Sequence, residues 1–173
     1  MREDLDILSK EELINYIEDI SKNWLAIDGT WFQVVESEYG LDRAIELDVK
    51  QWESFTVIEA NRIIQRFKIP KNGGIFSLIK ALRYRVYANI NIQEIIEISE
   101  TRCVFRMNDC RVQSARKRRG LPDFPCKQVG VIEYGLFAKT IDPRIKTRCI
   151  ACPPGDHPDN YWCAWEFTIK EET

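Results

Sequence analysis

Over the first ninety residues the apolar positions recur at spacings of three and four, the period of an amphipathic helix. Ser9-Lys10-Glu11-Glu12 is a capping box, with Ser9 capping the helix and Glu12 reaching back to it. Leu13, Ile17, Ile20, Trp24 and Ile27 follow as its apolar face. Asp28-Gly29 interrupts the pattern and Trp31, Val34 and Val35 resume it, so one kinked helix or two abutting ones run on to Gly40. Gly40 stands where a helix C-terminal glycine belongs. A second helix is expected over 41–53. Thr56-Val57-Ile58-Glu59 reads as another capping box and opens a third helix that ends near Lys68. Ile69-Pro70-Lys71-Asn72-Gly73-Gly74 is a loop, and a fourth helix covers 75–88.

After Asn89 the period changes from helical to alternating. Ile90, Ile92, Glu94 and Ile96 share one side of a strand pattern, and Val104-Phe105-Arg106-Met107 follows a Ser-Glu-Thr turn, which predicts an antiparallel hairpin. A short basic helix is expected over 110–119, and Leu121-Pro122-Asp123-Phe124-Pro125 is a loop. Residues 126–140 read as a helix with Val129, Val131, Ile132, Leu136 and Phe137 on its buried side. Strands are expected near 144–151 and 161–169, the second setting Cys163, Trp165, Phe167 and Ile169 against Trp162, Ala164, Glu166 and Thr168. Helices first and strands later predict an α+β fold, an N-terminal helical layer packed on a small antiparallel sheet with a zinc-tied C-terminal segment. The 173 residues suit a single domain, 1–173, with a helical part at 1–90 and an α/β part with the cysteines at 91–173.

Composition narrows the class. Apolar residues make up 45% and charged residues 30%, an ordinary globular balance that excludes a disordered tail, a collagen-like fibre or a coiled-coil rod. No run of apolar residues is long enough to span a bilayer. Met1-Arg2-Glu3-Asp4 is too acidic for a signal peptide, so a cytoplasmic location is expected and no membrane partner. The net charge of −2 gives no global argument for nucleic acid. The basic run Arg111 to Arg119 lacks aromatic interleaving, so it does not read as a nucleic-acid patch. Arg111 and Arg116 within it stand as a candidate clamp for a carboxylate or phosphate, against the plainer reading of a solvated face. The aromatics Trp24, Trp31, Phe32, Trp52, Tyr84 and Tyr87 lie at helical spacings and read as core.

The cysteines carry most of the chemistry. All six fall at or after Cys103. Cys149-Ile150-Ala151-Cys152 is a C-x-x-C, whose spacing brings two thiolates to one ion from a single turn. Cys163 lies eleven residues on, across a Pro- and Gly-bearing loop that can fold back. Cys126 opens a helix, where the positive end of the macrodipole favours a thiolate. Cys126, Cys149, Cys152 and Cys163 together would close a tetrahedral structural zinc site. Two other readings stay open: packed core thiols, and a redox pair, the latter without the surrounding βαβ unit. His157, the one histidine, is an alternative fourth ligand, and Cys103 and Cys110 read as packing residues. Three cysteines plus water would instead leave the open position that catalysis needs.

Asp109-Cys110, Pro125-Cys126, Gly130, Gly135, Cys149-x-x-Cys152 and Cys163 resemble the vinyl-reductase domain over about a third of the chain. That domain occurs in phenol-sensing regulators and resembles the heme-nitric-oxide-binding and vesicle-tethering folds. The resemblance implies zinc held by cysteines plus one acid, which carries over onto Cys126, Cys152 and Cys163, with Cys149 in place of the acid. Trp31-Phe32, Glu36-x-x-Tyr39-Gly40, Ala44, Trp52 and Glu59-Ala60 resemble a group of prokaryotic cytosolic proteins of unassigned function, distantly related to the aminothiazoline-carboxylate hydrolases. The expected function is therefore a zinc-containing small-molecule-binding protein. A hydrolase acting on a small cyclic amide- or amidine-type acid, and a scaffold or dimerisation module forming a homodimer through its helices, stand as alternatives.

Overall fold

The computed structural model describes residues 3–170. A short turn of helix, α1 (Glu3–Asp6), precedes α2 (Lys10–Tyr39), α3 (Leu41–Phe67) and α4 (Gly74–Leu82), and a 3-10 turn follows at Val86–Asn89. The hairpin β1 (Ile92–Ile96) and β2 (Arg102–Asp109) leads into α5 (Arg111–Arg118), α6 (Lys127–Ile141), β3 (Lys146–Ala151) and β4 (Cys163–Thr168). The four strands form one antiparallel sheet in the order β1-β2-β4-β3. The α+β architecture is as expected.

The Ser9 capping box forms as read: Glu12 N–H donates to Ser9 Oγ at 3.2 Å and Ser9 N–H to the Glu12 carboxylate at 2.8 Å. From there α2 continues through Asp28-Gly29 as one helix of 30 residues. The expected face of that helix needs correcting. Ile17, Ile20 and Ile27 are exposed, as are Trp31 and Val34, while Ser21, Trp24, Leu25, Phe32 and Val35 turn inward. Both faces are apolar, so periodicity alone did not say which one packs.

The second capping box does not form. No glycine or proline separates residues 41 and 67, and α3 runs unbroken through Thr56. Thr56 and Glu59 are both buried. Thr56 Oγ1 finds no partner, and the Glu59 carboxylate serves Arg85 instead of a helix end. The helix ends at Lys68, which takes the left-handed conformation.

The helices stack outward from the sheet: α6 packs against β3 and α3, and α3 packs against α2. On the sheet side, Cys103, Phe105 and Met107 of β2 and Cys163, Trp165 and Phe167 of β4 join Tyr134, Phe137, Ala138 and Ile141 of α6 in the main core. Val131 of α6 faces solvent, contrary to expectation, and the buried stripe is Val129, Glu133, Phe137 with Gly130 and Tyr134 beside it. On the other sheet face Glu166 of β4 accepts from Arg102 Nε at 2.9 Å and Arg148 Nε at 2.7 Å, cross-strand pairs that hold the strands in register. Asp142 accepts from Gly74 N–H and from Arg144, tying the end of α6 to the start of α4.

Candidate functional site

The inner faces of α2, α3, α5, α6, β2 and β4 enclose a cavity of about 170 Å³. Its walls are largely rings: Phe32 from α2, Trp52 from α3, Tyr87 from the 3-10 turn, Phe124 from the loop before α6, Tyr134 from α6 and Trp165 from β4. They interlock, with Trp52 stacked on Tyr87 (centroids 6.0 Å apart), Tyr134 on Trp165 (4.9 Å), and Phe32 edge-on to Phe124 (5.0 Å). Large rings on facing helices and strands cannot close completely over one another, which leaves room between them. Gly130 of α6 is part of the reason the wall stands where it does, since the Trp165 ring occupies the space a side chain there would need.

Cysteines form one end of the cavity. Cys126, Cys152 and Cys163 all line it. Cys126 Sγ lies 3.5 Å from Cys152 Sγ, and Cys152 also hydrogen-bonds Cys163. The Cys152 proton is shared toward its neighbours, which holds the Cys152 thiol far above the usual thiol range and draws Cys126 below it. Gln113 of α5 braces this end: Nε2 donates to the Phe124 carbonyl at 2.9 Å and lies 3.6 Å from Cys126 Sγ, and its Oε1 accepts from Phe124 N–H. Lys127 N–H donates to the Pro153 carbonyl at 3.0 Å, which joins the start of α6 to the loop after β3. Cys149 is half-buried at the edge of the group, its thiol raised by burial. Among the described residues all six cysteines are free, and no set of three or more His, Cys, Asp or Glu side chains stands in metal-holding geometry. Three of the four sequence-predicted ligands thus come together at the cavity wall, with one close sulfur pair.

The other candidates fall as follows. His157 stays in its loop, with Nδ1 at 3.0 Å from the Pro158 carbonyl and its ring against Trp162. Cys103 is fully buried in the core, and Cys110 lines the cavity with its thiol pushed up to about 12 by burial. Arg111 and Arg116 both reach the cavity rim. The Arg116 guanidinium is gripped bidentately by Glu36 at 2.8 and 3.0 Å and donates to the Pro122 carbonyl, so the carboxylate it clamps belongs to this chain. Arg111 is exposed.

Sequence reading missed the acids of the site. Asp28 and Asp48 line the cavity, as does Glu133. Each sits on an apolar stripe at helical spacing: Leu25, Asp28, Phe32; Ile45, Asp48, Trp52; Val129, Glu133, Phe137. A carboxylate repeated on a buried stripe is a signal that the apolar periodicity masked. Arg85 was missed as well. It is buried between Glu59 (Nε to carboxylate, 2.9 Å) and Glu133 (Nη1 to carboxylate, 2.7 Å), with its guanidinium over the Phe137 ring at 4.7 Å.

Comparison with solved structures relates this fold to the crystal structure of the phenol-responsive sensory domain of the transcription activator PoxR with phenol. The TM-score is 0.56 at 14% identity, covering 83% of this chain and 73% of that one. At that identity the likeness is one of fold. No curated protein matches the chain. A family profile described as "Family of unknown function (DUF6125)" matches residues 6–169, and the chain belongs to that family.

Proposed function

We propose that this protein is a small-molecule-binding module, its ligand seated in the cavity between the helices and the sheet, with one zinc ion held by Cys126, Cys149, Cys152 and Cys163. The cavity carries the reading. It is ring-walled with a few convergent polar groups, the composition of small-molecule sites, and its 170 Å³ compares with the roughly 150 Å³ that holds a benzene-sized guest. The fold it shares with a domain solved with phenol supports the same class. Titration with single-ring probes (phenol, benzamide, benzamidine, benzoate) followed by tryptophan fluorescence tests it, since Trp52 and Trp165 line the cavity. Saturable change with at least one probe is expected; none with any probe overturns the reading.

Zinc is supported by the donor chemistry. Four soft sulfurs come from the start of α6, β3, the loop after it and the start of β4, and a soft divalent cation in place of the shared proton would satisfy them together. The ion would pin the loop after β3 to α6 and would add its binding free energy to folding. Mass-spectrometric metal analysis with thiol titration, on protein purified without added metal, is the test. About one zinc per chain with four protected thiols is expected. No zinc, with the four thiols open to reagent, overturns the assignment, and zinc with three protected thiols moves the reading toward a hydrolase.

A dimerisation role is favoured by a separate observation. Ile20, Ile27, Trp31 and Val34 form an outward stripe on α2, with Ile27 68% and Trp31 63% exposed. Their spacings of seven, four and three suit a second copy of the helix packed alongside. Sedimentation equilibrium should find a dimer that Ile27→Glu with Trp31→Glu converts to monomer; a monomer throughout would remove this reading.

A further inference from the structure

The cavity carries more acid than its surroundings neutralise. Glu133 shares one guanidinium, that of Arg85, with Glu59. Asp28 accepts from the Gln51 carboxamide at 2.8 Å, and Asp48 accepts from the Trp52 indole. Those donors are neutral, and among the described residues no salt bridge reaches Asp28 or Asp48. Of the arginines at the rim, Arg116 is committed to Glu36 and Arg111 faces solvent. The acids also press on one another: burial and the neighbouring Asp28 and Glu133 charges push the Asp48 carboxyl up to about 7, and burial raises Asp28.

A second observation is independent of charge. Trp165 is 1% exposed, lines the cavity, and its indole Nε1 has no hydrogen-bond partner. The hydroxyls of the buried Tyr87 and Tyr134, on the same cavity, make no hydrogen bond to any described residue. Buried polar groups are normally paired. The Trp165 N–H, buried and left open on this cavity, marks a place where a polar guest completes the bonding.

We infer that the ligand is a compact organic cation, an amine or amidinium on a single-ring body, with its nitrogen toward Asp28 and Asp48 and its body against the rings of Trp52, Tyr87 and Trp165. The inference rests on the small-molecule reading above and specifies its ligand class. A cation beside a partly desolvated carboxylate relieves the cost of burying that charge. The same cation gains from the faces of Trp and Tyr rings, and the tyrosine oxygens can accept from its N–H groups. The unpaired Trp165 N–H then suits a ligand that also carries an acceptor atom.

The experiment compares isosteric pairs by calorimetry: benzamidine against benzamide, and cyclohexylamine against cyclohexanol, with benzoate as the anionic control. The cation of at least one pair should bind about tenfold tighter than its neutral partner, and benzoate should bind weakest. Asp28→Asn and Asp48→Asn, each checked for folding by circular dichroism, should each reduce the preference for the cation over its neutral partner about threefold or more. Neutral or anionic probes binding as tightly as the cations, or a preference unaffected by both variants, overturn the cation assignment and leave the binding reading intact. Absence of saturation with every probe overturns both.

Discussion

Gly130 shows how one missing side chain shapes the site. A Cβ placed there would stand 2.5 Å from Trp165 Cζ2 and 3.0 Å from Cη2, on a buried ring that would have to shift. Gly130→Ala should therefore destabilise the protein by about 1–3 kcal/mol despite alanine's better helix propensity, with a perturbed tryptophan spectrum as the second sign. Urea denaturation measures it. Asp48 gives a prediction in pH. Its carboxyl is raised from an ordinary 3.8 to about 7, so folded protein holds the proton more tightly than unfolded. Stability from this residue is fully present below about pH 4 and is lost as pH rises through about 7. Asp48→Asn removes that loss. The variant should gain about 2 kcal/mol over the parent at pH 8, half the full linkage value because the group is only half-buried, and almost nothing at pH 4. Equal gains at both pH values would refute the assignment.

Between elements, Arg85 is the principal polar link. It follows α4, and its guanidinium joins Glu59 of α3 to Glu133 of α6 inside the aromatic cluster. The two helices it joins are the pair packed most intimately in the molecule. Arg85→Ala leaves two buried carboxylates without a counter-charge, and should cost about 3–5 kcal/mol. Adding Glu59→Gln and Glu133→Gln to that change should restore a good part of it. If the triple variant is no more stable than the single one, the loss is packing rather than uncompensated charge. The paired acids also explain why the Thr56-to-Glu59 capping box fails: Glu59 in the buried middle of α3 has a better partner across the core than any backbone N–H of its own helix.

For the whole molecule, the cysteine cluster and the Lys127–Pro153 backbone bond tie the C-terminal segment to α6. With the proposed zinc in place, incubation with a strong chelator should lower the melting temperature by several degrees, and Cys152→Ser should do the same without chelator. Chelator without effect on a metal-containing sample would mean the ion lies elsewhere. At this scale the molecule is a stack in which α2 is the outermost layer, with an apolar stripe on each side. Its length and cap were readable, since Ser9 and Glu12 are local signals. Which side packs was not, because that depends on where α3 lies.

The pattern of the sequence by itself determined the class of elements, the hairpin and the final strand pair, because helix and strand periods and turn residues act over a few residues; the fourth helix, expected over 75–88, stops at Leu82 and gives way to the 3-10 turn at Val86–Asn89. The same pattern also brought Cys126, Cys152 and Cys163 into one hypothesis, since spacing across a loop constrains where sulfurs can meet. Only the tertiary structure decided that α3 is unbroken, that Val131 and Ile27 face out, and that Arg116 is clamped by Glu36, eighty residues away. It also decided that Asp28, Asp48 and Glu133 share one cavity with the unpaired indole N–H of Trp165. Each of these turns on the charge and shape of a partner distant in the chain, and local periodicity carries no information about that partner.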